Sequence, residues 1–552
     1  MTRILIVGGV AGGATAAARL RRLDENAEII IFERAGAVSY ANCGLPYHLS
    51  GVIDKRSSLL LQTKEGFWDR YRVEVRLRHE VISIDRKAKS IKIRDLTRWS
   101  EYDEHYDYLI LSPGAKPRLP EADFGAKELI RPLHTLEDMD VLMEDIKTRQ
   151  VKDVMVMGGG YVALETAENL AKAGVKTTLV QRSDKLLPPL DPEMLAPLYT
   201  ELGSNGVRML LETPISRISR RGGRLVLEKE KGGQLECDLL VAAIGVEPAS
   251  ELAEAAGLTL GERGGIVVNE QMLSSDPSIF AVGDVVEITE FVSQTPAQLA
   301  LAGPANRQAR VAADNICGIP STYTGTQGSA IIKVFGLTAA ATGINEKTAK
   351  GLGLNYDKVY LYGASHAGYY PGGTDMAIKV LFEKPSGRIL GAQLVGKEGT
   401  DKRADVFAVA IRGQMTAEDL TKLELCYAPP YSSAKDPVNI AGLMITNLLA
   451  ERVSQFHWHD IEDLPLDGSV TLLDVRSTRE FVNGAAEGFV HLPVDELRSR
   501  LDELDKSKPV YLYCYSGLRS YVAARILSQN GFTVSHLCGG YRFYQQAQIA
   551  LK

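Results

Sequence analysis

Two cysteines stand in settings suited to sulfur chemistry. Cys43 lies in "SYANCGLPYHLSG" (39–51), a turn that opens onto a helical pattern. The next cysteine is Cys237, so nothing local closes a disulfide with Cys43. A thiol at a helix start gains free N–H groups and the positive end of the helix dipole, which predicts a lowered pKa. One thiolate suffices for redox work if the second sulfur belongs to a bound substrate thiol. Cys514 ends a strand and begins the six-residue loop "CYSGLR" (514–519), with a helix starting near Ser520. Successive N–H groups in such a loop point inward and make an anion site, to which Arg519 adds charge. That favours a thiolate, or a persulfide anion, on Cys514.

The segments around Cys43 are those of nucleotide binding. "RILIVGGVAGGATAAARLRRLDENAEIIIFER" (3–34) reads as strand, glycine turn, small-residue helix and second strand. Gly8 makes the tight turn, Gly13 lets the helix pack on the sheet, and Glu33 is placed to accept ribose hydroxyls. Val10 stands at the middle fingerprint position, where glycine is usual. "DVMVMGGGYVALETAENLAKAGVKTTLVQR" (153–182) repeats the pattern with Gly158, Gly160 and Ala163. Two fingerprints imply two dinucleotides. Gln181 and Arg182 end the second unit where a carboxylate would favour NADH and a basic residue a 2′-phosphate, so NADH and NADPH both stay open. "YDYLILSPGAKP" (106–117), "CDLLVAAIGVEP" (237–248) and "SIFAVGDV" (278–285) are strands ending in glycine turns.

This order resembles the pyridine-nucleotide:disulfide oxidoreductases over residues 1–445. The resemblance implies that FAD is held by Gly8, Gly9, Val10, Ala11, Gly12, Gly13, Glu33, Arg34, Asn42, Ser112, Pro113, Gly114, Gly283, Asp284 and Ala302. Asp284 would bind the ribityl chain, and "GPANRQAR" (303–310) would cover the flavin. NADH or NADPH would meet Gly158, Gly160, Tyr161, Val162, Glu165, Gln181, Arg182 and Gly245, with Tyr161 as the gate over the flavin ring.

The two-cysteine branch of that family carries C-x-x-x-x-C, whereas His48 stands five residues after Cys43 here. Peroxidases of the single-cysteine branch carry a histidine where this chain has Ala11. What remains resembles the coenzyme A-disulfide reductases, with the motif S-[FY]-x-N-C-x-L-P-Y. The resemblance implies that Cys43 forms a mixed disulfide with coenzyme A. It places Arg19, Arg22, Ser39, Asn42 and Lys435 near the CoA, with Arg19 standing where glutamine is usual. It also places Tyr427 and one of Tyr369 and Tyr370 across a homodimer interface, where a hydroxyl could protonate a departing thiolate.

From about residue 450 a polar connector, "ERVSQFHWHDIEDLPLDG", leads into a new α/β pattern. "LDVRSTREF" and the loop C-x-x-G-x-R around Cys514 resemble the rhodanese sulfurtransferases. The expected fold is therefore α/β: two Rossmann-like dinucleotide-binding domains, an α+β dimerisation domain and a rhodanese-like domain. The expected boundaries are 1–115 and 249–322 for FAD, 116–248 for NAD(P)H, 323–448 for dimerisation and 449–552 for linker and rhodanese.

Composition agrees with that reading. With 552 residues, 45% of them hydrophobic and 24% charged, the chain is long enough for several cores. A net charge of −6 gives no pull toward nucleic acid or anionic membrane. Six scattered cysteines without a CxxC point to a reducing cytoplasm and to no metal. A first strand beginning at Arg3 leaves no room for a signal peptide, and no apolar run approaches the roughly 20 residues of a membrane helix.

The leading expectation is a reductase that cleaves the S–S bond of CoA persulfide, polysulfide or CoA disulfide at Cys43, with Cys514 carrying sulfane sulfur. The alternatives are a CoA-disulfide reductase for thiol balance and a non-catalytic sulfur-trafficking or sensing module.

Overall fold

Ile29, Ile30, Ile31 and Phe32 are all buried, without alternation, because the strand Glu28–Glu33 is covered on both faces. It pairs in parallel with Glu74–Leu77 and with Arg3–Val7. Arg3–Val7 pairs in turn with Tyr108–Leu111, and that strand with Ile279–Ala281, closing a five-stranded parallel sheet. The second fingerprint builds the same arrangement in the order Arg208–Leu210, Lys176–Val180, Asp153–Met157, Leu239–Ala242, Ile130–Arg131. In each sheet the glycine turn leaves the strand from which the order runs both ways, the crevice where dinucleotides bind. The expectation of two Rossmann-like sheets is met.

The two turns need glycine for the same reason. Gly8 has φ +90° and Gly158 φ +129°. A Cβ on Gly8 would collide with the carbonyl oxygen of Ser112, and one on Gly158 with that of Ala243. At Gly13 a Cβ would strike the Gly8 carbonyl, so the helix Ala11–Leu23 sits tight against the turn.

The structure, a computed structural model, describes residues 1–550 and comprises two units. The first holds residues 1–186 and 205–328 and contains both sheets above. The second holds residues 187–204 and the chain from 329 onward. Its antiparallel sheet runs Ala330–Val334, Leu337–Gly343, Ile389–Gly396, Asp375–Glu383, Tyr356–Ala364. A parallel sheet follows in the order Ser454–Phe456, Val534–Leu537, Val510–Tyr513, Thr471–Asp474, Val490–His491.

The polar connector is not a free tether. Ser454–Phe456 is the edge strand of the C-terminal sheet, and Trp458–Asp463 forms a 3-10 turn. The Tyr360 N–H donates to Cys538 Sγ at 3.1 Å and Gln455 Nε2 to the Lys358 carbonyl at 2.8 Å. Tyr362 Oη donates to Gln546 Oε1 at 2.6 Å. Within this unit the rhodanese-like sheet is thus packed against the antiparallel one.

A buried charge cluster ties residues 187–204 to that sheet. Lys379 is fully buried, and its Nζ meets Asp191 at 2.7 Å, Glu193 at 2.5 Å and Glu346 at 2.8 Å. The three carboxylates converge closely enough for a metal ion, and the ammonium stands in the cation's place. Among the described residues no helix is long and apolar enough to cross a membrane.

Candidate active sites around Cys43 and Cys514

A cleft of about 680 Å³ opens at the carboxyl ends of the first sheet. The turn residues Gly8, Gly9, Val10, Ala11 and Gly12 line it, with Glu33, Arg34, Asn42, Ser112, Pro113, Gly114, Gly283 and Asp284. Gly13 packs on the turn instead, and Ala305 rather than Ala302 reaches the wall, because Ala302 is the exposed first residue of its helix. Glu33 Oε2 accepts from the Gly9 N–H at 2.8 Å and Oε1 from the Ala35 N–H at 2.8 Å. Burial raises its pKa against those two bonds. Burial also raises Asp284. A buried carboxyl under a glycine turn and a second in the cleft lining fit the ribose and ribityl hydroxyls of a dinucleotide such as FAD.

His79, Glu80, Val81, Arg94, Lys116, His134 and Thr135 also line the cleft, and the sequence reading missed them. They come from the strands His79–Asp85, Ser90–Asp95 and Ala115–Pro117 and from the cap of the helix Leu136–Thr148, and apart from Lys116, at the end of the quoted 106–117 segment, no motif marks them.

Cys43 follows the cleft residue Asn42 and sits in the 3-10 turn Asn42–Gly44. The helix behind it, Leu45–Leu49, has five residues. It offers little dipole, and the expected lowering of the thiol is reversed. Burial pushes Cys43 up, and the charges of Glu165 and Asp284 push it further, although the residue keeps an exposed edge. Tyr47 Oη donates to Glu165 Oε1 at 3.0 Å and Ser50 Oγ to Asn169 Oδ1 at 2.5 Å, which locks the turn to the helix Tyr161–Lys172. Glu165 is raised by burial, and Tyr161 is raised to about 12 by burial and by Glu165.

At the second fingerprint Gly160 caps the helix and Val162 is exposed beside it. Gln181 lies beneath Gly159 as Glu33 lies beneath Gly9. Its Nε2 donates to Ser183 Oγ at 2.8 Å, and its Oε1 accepts from the Arg182 N–H at 3.1 Å. The Arg182 side chain is exposed, and Gly245 turns at φ +104° at the end of the neighbouring strand.

Of the residues assigned to CoA, Asn42 opens the cysteine turn and Ser39 precedes it, with the Ser39 N–H donating to the Gly9 carbonyl at 2.8 Å. Arg22 and Lys435 are exposed. Arg19 is committed elsewhere, its Nε pairing with Asp314 Oδ1 at 2.7 Å across two packed helices. In the second unit Tyr369 and Tyr427 are joined by a hydroxyl–hydroxyl bond of 2.8 Å, which raises the pKa of Tyr369. The Tyr370 ring meets His366 edge-on at 5.6 Å.

Cys514 lies at the floor of its loop, buried, with the Gly517 N–H donating to Sγ at 3.1 Å. Gly517 needs φ +109° to turn that N–H inward. The Tyr541 N–H holds the Cys514 carbonyl at 2.8 Å. Arg519 does not face the thiol as an unpaired cation. Its two terminal nitrogens grip Glu480 at 2.7 Å each, a bond that holds Glu480 at about 2. Glu480 is fixed in turn by Ser477 through a capping box. In "LDVRSTREF", Asp474 and Arg476 form a buried bidentate pair. The motif is therefore a brace for the loop.

A family model described as pyridine nucleotide-disulphide oxidoreductase matches residues 2–309, and one for its dimerisation domain matches 329–437. A rhodanese-like domain matches residues 458–547. The chain is 37% identical over 444 residues to a coenzyme A disulfide reductase of Staphylococcus aureus strain JH9, covering 80% of this chain and 99% of that one. It resembles the reduced CoADR-RHD of Bacillus anthracis at 44% identity and a TM-score of 0.96, covering 99% of this chain and 98% of the other. It resembles a NAD-dependent persulfide reductase from A. fulgidus at 35% identity and a TM-score of 0.91, covering 98% and 100%.

Proposed function

The chain belongs to the pyridine nucleotide-disulphide oxidoreductase family, and we propose that it reduces CoA persulfide, polysulfide or CoA disulfide with NAD(P)H. The observation that carries this reading is the pairing on one chain of a lone thiol beside a nucleotide cleft, Cys43, with a loop-bound thiol, Cys514. The similarity to a coenzyme A disulfide reductase and to a persulfide reductase supports it. A fused sulfurtransferase favours a substrate carrying sulfane sulfur over plain CoA disulfide.

Glu33, Asp284 and the turn at Gly8 would hold FAD, which supplies two-electron passage from NAD(P)H to a sulfur–sulfur bond. The N-terminus of the helix Tyr161–Lys172 would receive the NAD(P)H pyrophosphate, and Tyr161 would gate the nicotinamide. Cys43 attacks the S–S bond and retains one sulfur half as a mixed disulfide while the other departs. Ser39, Asn42, Arg22 and Lys435 are assigned to the CoA, as is whatever part of the Arg19 guanidinium its ion pair leaves available. In the homodimer the bonded pair Tyr369–Tyr427 is assigned the proton for the departing thiolate. Overall, R–S–SH, NAD(P)H and H⁺ give RSH, H₂S and NAD(P)⁺. Cys514 takes up or hands on sulfane sulfur. Six free thiols suit a reducing cytoplasm, and domain boundaries at 115, 248, 322 and 448 are part of the proposal. The deciding experiment compares kcat/KM for CoA persulfide and CoA disulfide with one preparation. Preference for persulfide supports the reading, whereas preference for disulfide makes the chain a thiol-balance enzyme.

A further inference from the structure

His536 is buried in the strand Val534–Leu537 and has no part in the reading above. Its Nδ1 lies 3.4 Å from Ser520 Oγ, and Ser520 Oγ lies 3.4 Å from Cys514 Sγ. Ser520 Oγ also donates to the Gly517 carbonyl at 2.8 Å. A carbonyl only accepts, so the serine proton points at Gly517. Ser520 Oγ then accepts from the Cys514 thiol and from the His536 Nδ1–H. Burial, and secondarily the charge of His457, pushes His536 down to about 4, so the ring is neutral near pH 7 and keeps one proton.

We propose that His536 is a positioning residue for Cys514: its Nδ1–H holds Ser520 so that the serine hydroxyl turns from Gly517 to Sγ as the thiol ionises. The thiolate then has two donors, the Gly517 N–H at 3.1 Å and the Ser520 hydroxyl. When Cys514–S⁻ attacks the outer sulfur of R–S–SH, Cys514–S–SH forms and RS⁻ departs. The inner sulfur is now neutral, and the hydroxyl turns back to Gly517. Of the charged groups on the neighbouring elements, Arg519 is tied to Glu480, Arg476 to Asp474 and His457 to Asp357. The adjustable donor at Sγ is therefore the serine.

The inference rests on the reading of Cys514 as a sulfur carrier only for its purpose. The test reads the thiol itself, with no sulfur donor present. The full FAD-loaded chain is alkylated with iodoacetamide across pH, and the peptide carrying Cys514 is quantified by mass spectrometry. His536→Leu and Ser520→Ala are each expected to raise the midpoint by about one pH unit, the double variant by no more than one single. His536→Asn places an amide N–H where Nδ1 was and keeps the wild-type midpoint. His536→Gln reaches the Nε2 position instead and shifts the midpoint as Leu does, which carries the test if the Leu variant does not fold. An unshifted midpoint in the Gln and Leu variants, with Ser520→Ala shifted, overturns the proposal and leaves His536 a packing residue. Additive shifts overturn it as well. Failure of the wild type to transfer sulfur would count against the sulfur-carrier role and leave the midpoints as measured.

Discussion

Tyr47 donates to Glu165 at 3.0 Å, so the turn that carries Cys43 is bonded to the helix that opens at the second glycine fingerprint. The carboxyl at that junction bears on the thiol. Burial is the larger cause of the raised Cys43, and Glu165 is the next.

Glu165→Gln is therefore expected to lower the alkylation midpoint of Cys43 while leaving burial in place. A raised thiol is protonated at neutral pH, and its thiolate fraction grows as pH rises through the folded value. The alkaline rise in Cys43 reactivity should accordingly move to lower pH in the variant, by roughly half a unit to one unit. An upward move would mean that Glu165 acts chiefly as a base for the thiol.

The second turn separates nucleotide binding from flavin binding. A side chain on Gly158 collides with Ala243 and is strained at φ +129°. Gly158→Ala should weaken NADH binding by at least about tenfold while the flavin absorbance of the purified protein is retained. The same titration run with both nucleotides is expected to favour NADH, since Gln181 fills the place beneath the turn and Arg182 alone favours a phosphate. Stronger binding of NADPH would assign the adenosine end to Arg182.

Lys379 is the central cation of a buried cluster that Lys358 joins through Glu346, and removing Lys379 leaves the buried Asp191 and Glu193 carboxylates without an ammonium partner. Lys379→Met should destabilise the second unit by about 3–5 kcal/mol, read as a lowered melting temperature. Burial opposes charge on Glu193, yet Lys379 and the Tyr360 hydroxyl outweigh it and hold its carboxyl below the usual range. The contribution is present above the ordinary carboxylate pKa and fades on acidification through the lowered one. The gap between wild type and variant should therefore narrow at low pH. A gap that is constant with pH would show that the cluster contributes by packing alone.

The glycine turns were legible because positive φ and close strand approach leave few alternatives to glycine at Gly8 and Gly158. The Cys514 loop was legible because its length and Gly517 define its shape. Electrostatics at Cys43 was not, since the sequence does not show that the helix after it stops at Leu49 or that Glu165 is folded against Tyr47. The same holds for Arg519, whose partner Glu480 lies 39 positions away and cancels the charge that the loop alone suggests. Residues 187–204 carry no motif, and their place beside Lys379 emerges only from contacts across the sheet. The strand Ser454–Phe456 looks polar because it is a short edge strand with two of its three side chains outside the core.

The measurement that bears most directly on the proposed chemistry is NADH oxidation and sulfide release driven by CoA persulfide in Cys43→Ser. The variant should keep FAD, since the cleft is built by other segments, and should keep sulfur transfer at Cys514. Sulfide release coupled to NADH is expected to fall to background. Coupled turnover at the wild-type rate in a flavin-loaded Cys43→Ser would contradict S–S cleavage at Cys43.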